Sequence, residues 1–118
     1  MANPNIIGVT SILGKTAVMA VPNATTPLVS NALASNTVVK INTLIAGNIT
    51  GSVQTISVEL VRGGSNYNIA QTVSVPANST IVVLTKDTTI YLEEGDTLNV
   101  FAGTVSALEA VCSYEIIS

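Results

Sequence analysis

The only close grouping of chemically capable side chains in this sequence is acidic: Glu93, Glu94 and Asp96, set around Gly95. Carboxylates at that spacing, with the backbone carbonyls of a turn, are weak candidates for holding a hard cation such as Ca2+, although they do not complete a calcium-loop pattern. Two of them could in principle work as the acid and base of a glycosidase. Such a pair normally sits in a rigid cleft lined by sugar-stacking aromatics, and here there is no Trp and aromatic residues make up only 3%. The plainer reading is a solvated hairpin tip, between strands near 90–92 and 98–102, whose charges discourage edge-to-edge aggregation. Histidine is absent, which removes the usual general base and the commonest transition-metal ligand together. A Ser-His-Asp, Cys-His or zinc site is therefore not available, and the expectation is a protein without catalytic residues or cofactors.

The remaining motifs read as structure. Cys112 is the single cysteine, so no internal disulfide forms, and its place in an alternating strand makes it a small buried hydrophobe. Arg62-Gly63-Gly64-Ser65 has paired glycines but lies between two strands. A phosphate cradle needs a helix after the glycines, so this is a hairpin turn. The sequons at Asn23, Asn48 and Asn78 are expected by chance in a chain rich in Asn, Ser and Thr, and read as turn residues.

These elements must be positioned by a chain of unusual surface chemistry. Of 118 residues, 9% are charged and 47% hydrophobic, with a mean hydropathy of +0.57. Ser, Thr, Asn and Gly must cover what Lys and Glu usually cover, and part of the surface is expected to meet copies of the chain or a partner. The net charge is −3 and Lys15, Lys40, Arg62 and Lys86 are scattered. Nucleic acid and anionic membrane surfaces both need clustered cations, so neither is expected as a partner. The long uncharged interval between Lys15 and Lys40 contains Pro22, Pro27 and many polar residues and does not read as a membrane helix. The N-terminus lacks the basic opening of a signal peptide, and Lys15 interrupts its apolar stretch.

β-branched residues dominate, turn residues recur every ten or so positions, and no window has a helical period. The class is all-β: one antiparallel β-sandwich or jelly-roll-like domain over 1–118, of about eight or nine short strands. Residues 1–5 form an arm. Segments 6–12 and 15–21 read as two strands joined at Gly14, and 23–36 as a polar connection with a short strand near Leu28 and Val29. In 37–46, Val39, Ile41 and Ile45 share one face, while Val38 and Leu44 make the other only partly polar. The hairpin 53–75 puts Ile56, Val58 and Leu60 inward opposite Ser57 and Glu59, then returns with Tyr67, Ile69, Val73 and Val75 on one face. Ile81-Val82-Val83-Leu84 is apolar on both faces. Val38, Leu44, Val82 and Leu84 are accordingly the interface candidates. The last strand turns Leu108, Ala110, Cys112, Tyr114 and Ile116 to one side.

The blocks VVKINTLIAGNITGS, TVSVPANSTIVVLTKDTTIYLEEGDTLNVFA and LEAVCSYEIIS resemble a family of small virion structural proteins of tailed bacteriophages, notably marine and cyanobacterial phages. The resemblance covers most of 37–118. Its most specific parts are IYLEEGD at 90–96 and the terminal SYEIIS, in which Ile116 stands where many relatives carry an acidic residue. It implies a non-enzymatic all-β component of the virion, made in the host cytoplasm: a capsid decoration or cement protein on the outer shell, or a collar, tail or fibre-attachment protein. The implied partners are the major capsid protein or other virion proteins and the chain itself, as a homo-oligomer with a trimer among the candidates. A glycan-binding module is the alternative of a different class, weakened by having only Tyr67, Tyr91 and Tyr114 as tyrosines, two of them expected to point inward.

Overall fold

A computed structural model describes residues 6–8 and 10–118; the expected arm, 1–5, lies outside the described residues. Nine strands form two antiparallel sheets: β1 (Ile12–Ala20), β2 (Thr26–Ser30), β3 (Val38–Asn48), β4 (Gln54–Arg62), β5 (Ser65–Val75), β6 (Thr80–Leu84), β7 (Ile90–Leu92), β8 (Thr97–Ala102) and β9 (Leu108–Ile117). One sheet has the order β1-β9-β3-β6, with β7 also paired to β3, and the other the order β2-β8-β4-β5. The all-β sandwich expected from period-2 patterning is what the chain forms. Gly14 does not break the first strand: β1 runs unbroken, its nine positions paired with β9 from Ile12↔Ile117 to Ala20↔Glu109. The segment before it is not a strand from residue 6, since Ile6–Gly8 is a 3-10 turn.

The core is the aliphatic layer between the sheets. Ile41, Leu44, Leu92 and Leu108 from one sheet meet Ile56, Val58, Leu98 and Val100 from the other, all fully buried. No tryptophan contributes, so burial of branched aliphatic surface supplies the driving force. The inward set of β9 is as its alternation predicts: Leu108, Ala110 and Cys112 are fully buried, and Tyr114 and Ile116 pack against the same cluster.

Strand β3 departs from simple alternation. A bulge between Ile41 and Thr43 in its pairing with β9 inserts one residue, so the buried parity is odd at Val39 and Ile41 and even at Leu44 and Ala46. An extra residue turns every later side chain to the opposite face. Leu44 is thus a core residue, and Ile45, expected inward, faces out.

Bulges also explain the second hairpin. Gly63 and Gly64 both have positive φ (59° and 80°) and join β4 to β5 across the Arg62↔Ser65 pair, the backbone a two-residue hairpin loop requires. The β4–β5 register shifts twice, between Ile56 and Val58 and between Val58 and Glu59. Groups of β5 bond to the outward residues of β4. The Thr72 N–H donates to Ser57 Oγ at 2.9 Å, and Asn66 Nδ2 donates to Glu59 Oε1 at 3.1 Å. Ser57 and Glu59, expected to face solvent, are therefore buried, whereas Tyr67 and Val73, expected inward, are exposed on the edge strand β5.

The altered parity of β3 is open to measurement. Leu44→Ala should lower unfolding free energy by about 2–5 kcal/mol in a denaturant titration, as for a filled core site. Val82→Ala on the outer face should stay within about 0.5 kcal/mol of the parent protein. Equal effects would show that Leu44 does not lie between the sheets.

Candidate functional site

The acidic stretch is not the tip of a hairpin. β7 belongs to the sheet of β3 and β8 to the sheet of β4, so residues 93–96 cross from one sheet to the other at the end of the sandwich. Gly95 makes the crossing at φ +89°, and a Cβ there would stand 2.8 Å from Leu33 Cδ2. Its charges do not all point to water either. Asp96 is 2% exposed.

What holds Asp96 there is Arg62, across the sandwich end on β4. The guanidinium donates from Nε to both carboxylate oxygens at 3.0 Å and from Nη2 to Oδ2 at 2.6 Å. The Glu93 N–H adds a bond to Oδ2 at 2.8 Å, and the Glu93 carboxylate lies 2.9 Å from Arg62 Nη2. The hydrogen bond to Asp96 is the main cause raising the Arg62 pKa above its ordinary value, with the charges of Asp96 and Glu93 adding to it. In a chain with four basic residues, one is committed to this crossing.

A second clasp comes from the 23–36 connection. Asn31 is buried; its Nδ2 donates to Leu92 O at 3.0 Å and Thr37 O at 2.9 Å, and its Oδ1 accepts from Ser35 Oγ at 2.7 Å and Thr37 Oγ1 at 3.1 Å. Its backbone is joined to the crossing as well, by Asn31 N–H to Asp96 O and Gly95 N–H to Asn31 O. The Asn36 N–H donates to Glu94 Oε2. The loop and the acidic crossing are therefore tied together by both side-chain and backbone hydrogen bonds.

Each member of the acidic trio is thus engaged by the protein: Asp96 by Arg62, Glu93 by Arg62, and Glu94 by the backbone of Asn36. The cation in this corner is a guanidinium. Among the described residues, no three His, Cys, Asp or Glu side chains converge with the geometry of a metal site. Arg62 and Asn31 are the residues that sequence reasoning passed over. An isolated Arg beside a Gly-Gly turn reads as a turn residue, and an Asn in a polar loop carries no periodic signal. The opposite end of the sandwich repeats the device. Asn48, also buried, donates from Nδ2 to Ser52 O at 2.8 Å and Val75 O at 3.0 Å. Asn48, expected in a turn, is the last residue of β3, paired with Leu108, and its Oδ1 accepts from the Thr50 N–H where the chain leaves the strand.

The interface candidates separate sharply. Leu44 and Leu84 are buried in the inter-sheet core, and Val38, opposite Ile117, is also buried. These three present no surface to a partner; the β3 bulge and a second shift that skips Val83 between β3 and β6 are why the outward assignment fails for Leu44 and Leu84. Val82 is 56% exposed. It lies in one row with Ile45, Val111 and Val18 through the pairs Val82↔Ile45, Ile45↔Val111 and Val111↔Val18. Four β-branched side chains therefore cross the outer face of this sheet in register, ending on β1, where Val18 is 71% exposed. A shallow cavity of about 340 Å3 opens beside that end, lined by Val18, Met19, Ala20, Glu109, Ala110 and Val111. No helix among the described residues is long and apolar enough to cross a membrane. Comparison with known protein families, with curated proteins and with solved structures finds no match.

Two measurements test the polar corners and the core thiol. Arg62→Ala should cost about 1–3 kcal/mol, between the values for exposed and buried ion pairs because Arg62 is partly exposed, and Asn31→Ala about 1–3 kcal/mol through buried carbonyls left unpaired. Equilibrium unfolding would read both losses. Burial pushes the Cys112 thiol up to about 11. The folded protein thus holds this proton to higher pH than the unfolded chain, whose thiol titrates near about 8.5. That contribution is complete below the unfolded value and is lost as pH rises toward 11. Thiol reagents at pH 8 should label Cys112 only after denaturant is added, and Cys112→Ala should flatten the alkaline fall in stability.

Proposed function

We propose that this chain is a non-enzymatic structural protein of a tailed-phage virion, a decoration or cement protein that packs on the outer capsid surface and stabilises the shell. The observation that carries the reading is the in-register apolar row Val18–Val111–Ile45–Val82 on the outer face of a sheet whose chain has few charges to keep it apart from neighbours. A molecule that lives alone in solution gains nothing from such a row, whereas one packed against coat subunits or its own copies buries it. The rigid ends support the same role. Loops clasped by Asn31, Asn48 and the Arg62–Asp96 pair form a block of fixed shape, suited to repeated contacts on a symmetric lattice. The resemblance of most of residues 37–118 to phage virion proteins supports reading that lattice as a capsid.

Particles produced from the genome that encodes this chain should contain it in amounts comparable to the coat protein by mass spectrometry. Electron cryomicroscopy should show it on the shell, and particles lacking it should lose their genome at lower temperature than complete ones. Density confined to the portal, collar or tail would replace the decoration role with a collar or tail role. Absence from particles would overturn the virion reading altogether.

A further inference from the structure

The sheet edges are not alike. β2 carries Pro27 and a bulge before Val29, and β5 carries two register shifts. β7 has three residues, and β6 has five with a shift opposite Leu44 and Ile45. Short length, proline and bulges are the ways a protein prevents a free edge from pairing. β1 has none of these over nine residues in unbroken register, and of the charges that also blunt an edge it carries one, Lys15. Among the described residues no strand pairs with its other side, and the groups that side offers follow from the bonded one. Ser11 N–H and C=O both bond to Ser118, and Val21 N–H bonds to Leu108 O, so the odd-numbered residues of this strand address β9. By the alternation of an antiparallel ladder, Ile12, Gly14, Thr16, Val18 and Ala20 direct their N–H and C=O groups outward.

We propose that β1 pairs antiparallel with β1 of a second copy of this chain, about a two-fold axis at Thr16, joining two sheets into one continuous sheet across the dimer. Thr16 is the midpoint of Ile12–Ala20, so this register alone uses every position of both strands. It makes Thr16 face Thr16 of the second copy as a hydrogen-bonded pair. The pairs Gly14–Val18 and Ile12–Ala20, each formed twice by the symmetry, then exchange the remaining outward N–H and C=O groups. The side chains agree with it. Val18 comes to lie beside Gly14 of the second copy, where the space a Cβ would enter is open. Leu13, 53% exposed, comes beside Met19 of the second copy. Lys15 lies opposite Ala17 of the second copy, whereas moving the axis one residue to Lys15 would set two ammonium groups face to face. The occupant is a second copy because the edge is complementary to itself in shape and hydrogen bonding, in a register that keeps the two Lys15 side chains from facing each other directly.

The pairing does not depend on a virion role and is tested on the purified protein. Sedimentation velocity over a concentration series should show a monomer–dimer equilibrium for the parent chain. Thr16→Lys should remain monomeric throughout, and so should Thr16→Glu, because like charges then meet at the axis. An equimolar mixture of the two should recover the dimer, since Lys and Glu then face each other. Thermal unfolding of each variant alone, at a concentration where the parent is monomeric, should match the parent, because Thr16 is exposed and its backbone polar groups point away from β9. A parent chain that stays monomeric, forms a trimer, or dimerises equally well with either substitution overturns the proposal. So does a mixture that fails to pair, which would refute the axis at Thr16.

Discussion

The inter-sheet layer of leucine, isoleucine and valine is the constraint to which the rest of the molecule answers. With no tryptophan, few aromatic rings and no disulfide, the two sheets stay together only if branched aliphatic side chains from both fill the space between them. A strand can do that with one parity of its residues, and each bulge changes which parity it is. Placement of the bulges therefore decides what is core and what is surface. In β3 the bulge near Asn42 lets Val39 and Ile41 serve the layer opposite β7, and Leu44 and Ala46 serve it opposite β6. Strands β6 and β7 thus share one long neighbour without either facing the wrong way.

That is also why the sequence reveals the architecture better than the surface. Strand locations, the class and the inward face of β9 follow from period-2 patterning and turn residues, which are local. The identity of outward residues in β3 and β5 depends on bulges, which leave no mark on residue type: nothing about Asn42 or Thr72 distinguishes an extra residue from an ordinary outward one. Leu44 turns inward for that reason, whereas Ser57 and Glu59 keep the outward side of β4 and are covered by groups of β5, and Tyr67, in register with Leu60, is exposed because β5 is an edge strand. The acidic stretch failed differently. Ile90–Leu92 and Thr97–Ala102 read as one hairpin because they are adjacent, yet they belong to different sheets, and whether neighbouring strands pair or cross is decided by partners far away in sequence.

The polar residues that matter lie where the chain leaves the layer. At one end Arg62 and Asn31 fix the crossing at 93–96; at the other Asn48 fixes the turns after β3 and β5. In each case one buried side chain satisfies several backbone carbonyls that the strands no longer pair, and unmet carbonyls at these depths are costly. Arg62, Glu93, Glu94, Asp96 and the buried amides join elements to each other, whereas the row ending at Val18 and the outer side of β1 are left facing outward.

The position of β9 has a consequence for how the fold is reached. It is the last strand in the chain order, yet it lies inside its sheet, between β1 and β3. While the chain is being synthesised, β3 can pair with β6 and β7, but β1 and the other side of β3 have no neighbour in their sheet until residues 108–117 emerge. Folding is thus expected to be a collective event in which most contacts span a long loop, toward the slow end of the topological range. Until β9 is in place, β1 and one side of β3 expose unpaired backbone and apolar side chains, the kind of surface that partly folded chains must keep from sticking to one another.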